Sequence, residues 1–193
     1  MAILPIYEVP HPILKQVAKP VVSVDDRVRR LLDDMAETMY AANGVGLAAP
    51  QVGASERILV AAVPLRGGWS EETEEDEEVG TKAFLTEVIN PEIIEREGTL
   101  LYDEGCLSVP EFSLEVERSE RIVIRALDRH GDPFEFQARG FYAVVFQHEI
   151  DHLDGVTLYD RMSALKRALY LKKLKKMRKN GAGSNPNPPE PTP

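Results

Sequence analysis

The stretch Phe141-Tyr142-Ala143-Val144-Val145-Phe146-Gln147-His148-Glu149-Ile150-Asp151-His152 sets the centre of the fold. Its first six residues are almost wholly apolar, and two of the chain's four histidines follow. On an α-helix, positions i and i+4 share a face about one turn apart. His148 and His152 can therefore reach one metal ion, with Glu149 beside them as a general base. This is the H-E-x-x-H arrangement of metal-dependent hydrolysis. An apolar run leading into it fits a buried helix and a closed site. A chance pentapeptide on a solvated helix would leave that run unexplained.

A catalytic metal normally takes three protein ligands and keeps one position open. Downstream, Leu153-Asp154-Gly155 begins the longer H-E-x-x-H-x-x-G-x-x-H pattern, but the residue where histidine is needed is Leu158. The only later glutamate, Glu190, lies in a proline-rich tail, and Asp154 and Asp160 carry no supporting pattern. The upstream candidate is Cys106, the single cysteine, in Glu104-Gly105-Cys106-Leu107-Ser108. A purely structural metal site would need a fourth closing ligand, and none stands at a good spacing.

The 193 residues suit one globular domain, expected over 1–180. The formal net charge of −9 is concentrated, because Glu71 to Glu78 holds seven acids in eight positions. A bulk nucleic-acid role is not indicated. The Gly-flanked segment 66–80 reads as a solvated acidic surface insertion. A lone cysteine permits no internal disulfide and fits a reducing compartment. The start, Met1-Ala2-Ile3-Leu4-Pro5, lacks the features of a signal peptide. No apolar run approaches the ~20 residues of a membrane span. A soluble, monomeric, cytoplasmic protein is expected.

Four prolines within residues 1–24 leave room for only a short helix, at 13–18. Asp25 and Asp26 are caps for an amphipathic helix over 26–42, with Val28, Leu31, Leu32, Met35 and Met39 at helical spacing. Next comes Gly44-Val45-Gly46-Leu47-Ala48-Ala49-Pro50-Gln51, whose glycines allow close backbone approach. A helix C-cap followed by a strand explains that stretch equally well. Strands are expected at 58–63, 84–89, 92–97 and 99–102. Residues 121–127 and 133–138 form a hairpin candidate around Arg129-His130-Gly131-Asp132. His130 and His11 are expected to be solvated and structural, respectively. The metal helix should cover 140–153. Ser163 should cap a last helix to Asn180, with Leu165, Leu169, Leu174 and Met177 as its apolar face and a basic remainder. Residues 181–193, rich in Pro, Gly and Asn, read as a disordered tail.

Taken together, Gly44 to Gln51, Glu104 to Ser108 and Gln147 to His152 resemble, in order and spacing, the three signature motifs of bacterial peptide deformylases. The resemblance covers roughly residues 3–175. It implies an α+β fold with antiparallel sheets packed around the metal helix, and a C-terminal helix. It implies removal of the N-formyl group from the formylmethionine of nascent polypeptides. Carried over by position, it makes Cys106, His148 and His152 the metal ligands and Glu149 the acid/base. Gln51 and the Leu107 backbone N–H become oxyanion donors. Val45 and Gly46 would pair with the extended peptide, and Val45, Tyr102, Phe141, Val144 and Val145 would line a methionine pocket. The implied cofactor is one divalent ion, natively Fe(II), with Zn(II), Ni(II) or Co(II) able to substitute. Transient ribosome contact through the basic last helix is implied too. The acidic insertion and the tail depart from the family pattern but touch none of its motifs.

Overall fold

The computed structural model describes residues 2–62 and 85–179. The insertion at 66–80 and the tail at 181–193 lie outside the described residues. Helix α1 (Asp26–Ala41) is followed by strands β1 (Gly46–Ala48), β2 (Ile58–Ala62), β3 (Leu85–Glu97), β4 (Leu100–Cys106) and β5 (Val109–Arg118). Strands β6 (Arg121–Leu127) and β7 (Pro133–Arg139) then lead into helices α2 (Gly140–Leu153), α3 (Leu158–Arg161) and α4 (Ala164–Lys179). Five strands form one antiparallel sheet ordered β1-β2-β3-β6-β7, and β4 and β5 form a separate antiparallel pair. This is the expected α+β class. No helix among the described residues is long and apolar enough to cross a membrane.

The period-two alternation of a strand lets one sheet serve two helices. Along β2, Leu59 and Ala61 pack into the cluster with Phe146, Ile150 and Leu153 of α2. Ile58 and Val60 point the other way, to Val28, Leu32, Met35 and Met39 of α1. Each such fully buried side chain contributes on the order of 1.5–3 kcal/mol of transfer free energy. The Asp25 carboxylate caps α1 by accepting the Val28 N–H at 3.0 Å. A third cluster lies under the β4–β5 pair, where Leu114 and Val116 meet Leu158, Met162, Tyr170 and Leu174.

Four expectations need correction. The first helix is a single 3₁₀ turn at Pro12–Lys15, begun by His11, whose Nδ1 accepts the Ile13 N–H. The two strands expected on either side of Asn90-Pro91 are one continuous β3. Asn90 adopts φ +52 and the pairing with β6 shifts register there, so a bulge absorbs the break. The Asn90 amide clasps the Val21 backbone in both directions at 2.8 Å. Strand β5 was not anticipated, because Pro110 and three glutamates mask its alternation. Its inward residues Leu114, Val116 and Arg118 are buried, while Glu111, Glu115 and Glu117 are exposed. Finally, α4 docks through Tyr170 and Leu174, whereas Leu165 and Leu169 are 71% and 59% exposed.

Candidate metal centre and active site

Helix α2 grows directly out of β7. Gly140, at φ +54, lets the chain turn from strand to helix without a loop, and its N–H donates to Glu120 O at 2.8 Å. Ten residues of α2 are buried, including Gln147, His148, Glu149 and His152. The histidine rings lie on one face, with centroids 5.0 Å apart. Cys106 ends β4 at a register irregularity, where the chain turns through Leu107 and Ser108 into β5. That turn brings the cysteine onto the helix. One ligand atom from each of Cys106, His148 and His152 lies within 4.8 Å of the others, and Cys106 Sγ is 3.2 Å from His152 Nε2.

A chain of ion pairs stands behind the histidines. Glu104 Oε2 lies 2.8 Å from His148 Nδ1, which leaves His148 Nε2 for the centre. Arg118 grips Glu104 at both oxygens, at 2.6 and 2.9 Å, and reaches Asp151 Oδ2 at 2.7 Å. Arg161 donates to the same Asp151 oxygen at 2.6 Å. Burial alone would raise the Glu104 pKa, but the bonds from Arg118 and His148 hold it below the usual carboxylate range. Sequence reasoning missed Glu104, Arg118, Asp151 and Arg161. Glu104 and Asp151 sit inside quoted motifs, but Arg118 and Arg161 carry no local signal.

Glu149 is 4% exposed, and burial, reinforced by Glu104 and Asp151, pushes its carboxyl up to about 7 despite His148 and Arg118. Its Oε2 has no hydrogen-bond donor among the described residues. Gly46 of β1 lies against it so closely that a Cβ there would stand 2.5 Å from Glu149 Oε1. The Gln51 side chain bridges the motifs. Its Oε1 accepts the Ala48 N–H at 2.8 Å, and its Nε2 lies 3.2 Å from Ser108 Oγ and 3.8 Å from Cys106 Sγ. Leu107 follows Cys106, and its side chain packs on the α1 side of the sheet.

Val45, Tyr102, Phe141, Val144 and Val145 come together around a cavity of ≈ 250 Å³ that His148 and Glu149 also line. The Tyr102 and Phe141 rings stand 5.5 Å apart. An apolar hollow ending in a few polar groups is the usual form of a small-ligand site. His130 is exposed. The His11 ring lies tilted against that of Tyr7, with centroids 4.6 Å apart, and belongs to the amino-terminal packing.

One thiol and two imidazoles in a buried pocket suit a divalent transition metal. Burial lowers both histidines, yet Cys106 and Glu104 outweigh it and hold His148 well up, while His148 and Arg118 press His152 further down.

Residues 3–168 match the family model described as polypeptide deformylase. A peptide deformylase of Alkalilimnicola ehrlichii is 50% identical over 181 residues, covering 94% of each chain. One from Phenylobacterium zucineum is 48% identical, covering 91% of this chain and 97% of its own. Among solved structures, a peptide deformylase from Legionella pneumophila superposes with a TM-score of 0.80 at 40% identity, covering 95% of this chain and all of its own. One from Ehrlichia chaffeensis in complex with actinonin gives a TM-score of 0.80 at 39% identity, covering 91% and 98%. Sequence, fold and the cysteine–histidine cluster agree: the chain belongs to the polypeptide deformylase family, metal-dependent hydrolases that remove the N-formyl group from nascent polypeptides.

Proposed function

We propose that Cys106, His148 and His152 hold the family's metal in this chain, and that Glu149, Gln51 and Leu107 carry out the deformylation of formyl-methionyl peptides around it. The observation that carries this reading is the convergence of the three donors within 4.8 Å beside a buried glutamate and an apolar cavity. When bound, a divalent ion supplies the Lewis acidity that makes hydroxide available near pH ~7. Glu149 takes the proton of the attacking water and later delivers it to the leaving amine. Gln51 Nε2 and the Leu107 N–H donate to the oxyanion that develops on the formyl oxygen. Val45, Tyr102, Phe141, Val144 and Val145 hold the methionine side chain, and the backbone of Val45 and Gly46 pairs with the extended peptide. The formyl carbon bears only hydrogen, so a narrow site admits it and excludes longer acyl groups. Ordinary peptide bonds are spared for that reason.

The catalytic unit spans 1–180, works as a monomer in the cytoplasm, and takes Fe(II) as its native ion, with Zn(II), Ni(II) or Co(II) able to substitute. The basic outer face of α4 makes a transient contact with the ribosome, where formylated chains emerge. The deciding experiment counts metal per chain and compares hydrolysis of formyl-Met peptides with that of acetylated and longer internal peptides. One ion per chain and activity confined to formyl substrates is the expected result. Cleavage of internal peptide bonds would replace this reading with that of a metallopeptidase.

A further inference from the structure

Gln147 stands directly before His148 and is 3% exposed, yet the chemistry above gives it no task. Its side-chain amide is fully used. Oε1 accepts the Ser119 N–H and Arg96 Nη1, each at 3.0 Å. Nε2 donates to Ser119 O at 2.8 Å and to Ala143 O at 2.9 Å. The amide therefore pairs with both backbone groups of Ser119, as a neighbouring strand would. Ser119 and Glu120 form the tight turn between β5 and β6. The same turn holds the start of α2, because Glu120 O accepts the Gly140 N–H. Arg118, the residue before it, ties Glu104 and Asp151.

Apart from the Glu104–His148 bond and the bonds from Arg118 and Arg161 to Asp151, the remaining surroundings of α2 resist rotation poorly. On the sheet side the contacts of Ala143, Phe146, Ile150 and Leu153 are apolar and non-directional. On the opposite flank Val144, Val145, His148 and Glu149 line an open cavity. A roll of about 10° moves groups about 5–6 Å from a helix axis by about 1 Å. A displacement of that size at reacting groups costs on the order of 10²-fold in rate.

From this we infer that Gln147 is a positioning residue: its two-way pairing with Ser119 acts with the Glu104 and Asp151 bonds to fix the rotation of α2 and so aims His148, Glu149 and His152 together. The inference rests on the proposed roles of those three residues and of Cys106. Gln147→Met keeps the volume and removes every bond. Gln147→Glu keeps the acceptor to Ser119 and Arg96 and loses both donations.

The measurements are kcat and KM of the metal-loaded enzyme on a formyl-Met peptide, metal loss to a chelator, and melting temperature. Gln147→Met should lower kcat and speed metal loss by about ten- to hundredfold, as loss of groups that orient metal ligands does elsewhere. KM should change much less, because apolar pocket walls tolerate a small roll. Gln147→Glu should recover part of both effects. A folded Met variant with a lower melting temperature but wild-type kcat and metal retention would reduce Gln147 to a stabilising residue and overturn the inference. If that variant does not fold, Gln147→Glu decides alone: intermediate values support the clamp, wild-type values overturn it. Cys106→Ser keeps the two questions apart. If it retains metal like the wild type, the ligand reading fails, whatever Gln147 does.

Discussion

At the scale of single residues, the proposed site gives proton transfer and ligation to different side chains. Glu149 is buried beside the donor cluster but is not one of its members. Glu149→Ala should therefore keep its metal and lose about 10²–10⁴-fold in kcat, the usual contribution of a positioned acid/base. Metal analysis alongside steady-state rates checks this. Loss of metal with near-normal rates on its re-addition would assign Glu149 the wrong role. Gly46 offers a sharper test of geometry. It has no positive φ that would strain alanine, but a Cβ would meet Glu149 Oε1 at 2.5 Å and its Cγ and Cδ at 2.9 Å. Gly46→Ala should thus leave the fold intact and displace the carboxylate, with a fall in kcat approaching 10²-fold. Circular dichroism and kinetics on the same sample separate the two effects.

At the scale of elements, α4 shows how a helix made of lysines and leucines chooses its inner face. Helical spacing allows either of two leucine-bearing stripes. The chosen one carries Tyr170, edge-on to Phe112 with centroids 5.4 Å apart, and Leu174 one turn later. Two of the basic residues hold the helix down: Lys173 Nζ donates to Glu111 O at 2.7 Å, and Arg178 pairs with Glu8 at 3.0 Å. Leu174→Ala should cost about 2–5 kcal/mol, as large-to-small changes in packed cores do. Leu165→Gln and Leu169→Gln should fall within about ±0.5 kcal/mol. Urea titrations of the three variants give the comparison. Equal losses at 169 and 174 would mean that the outer stripe is covered by something else.

At the scale of the whole molecule, the proposed ribosome contact of α4 and the proposed metal each lead to a test. Because Lys173 is occupied by Glu111, charge reversal at Lys172, Lys175 and Lys176 is the cleaner test of ribosome contact. Co-sedimentation should weaken, the remaining binding should fall less steeply with salt, and turnover of short formyl peptides should persist. Unaltered co-sedimentation would leave α4 a solvated face. For the metal, intrinsic affinity disfavours Fe(II) against the later divalent ions, so zinc can dominate a purified sample even where iron is native. An iron-loaded sample should be active without oxygen and decay in air, with Cys106 oxidation seen by mass spectrometry. A nickel-loaded sample should survive, and equal decay of the two would sink this account.

What the sequence determined by itself was whatever depends on local spacing. The i, i+4 histidines on an apolar helix, the β6–β7 hairpin and the Asp25-capped α1 follow from periods of 3.6 and 2 and from one cap. Cys106 was reached as the single upstream candidate for a third ligand and again through the motif resemblance, and the pocket residues through that resemblance alone. Only the tertiary structure decided the contacts that join distant positions. Glu104 meets Arg118 across 14 residues of hairpin, Arg118 meets Asp151 across 33, and Gln147 meets Ser119 across 28. Strand β5, hidden by Pro110 and its glutamates, is the element that carries Arg118 to the site. The inner stripe of α4 was likewise settled by the hollow beneath it, because two faces of similar apolarity differ only in what they pack against. Local periodicity says which residues can share a face; burial against a particular neighbour selects the face that is used.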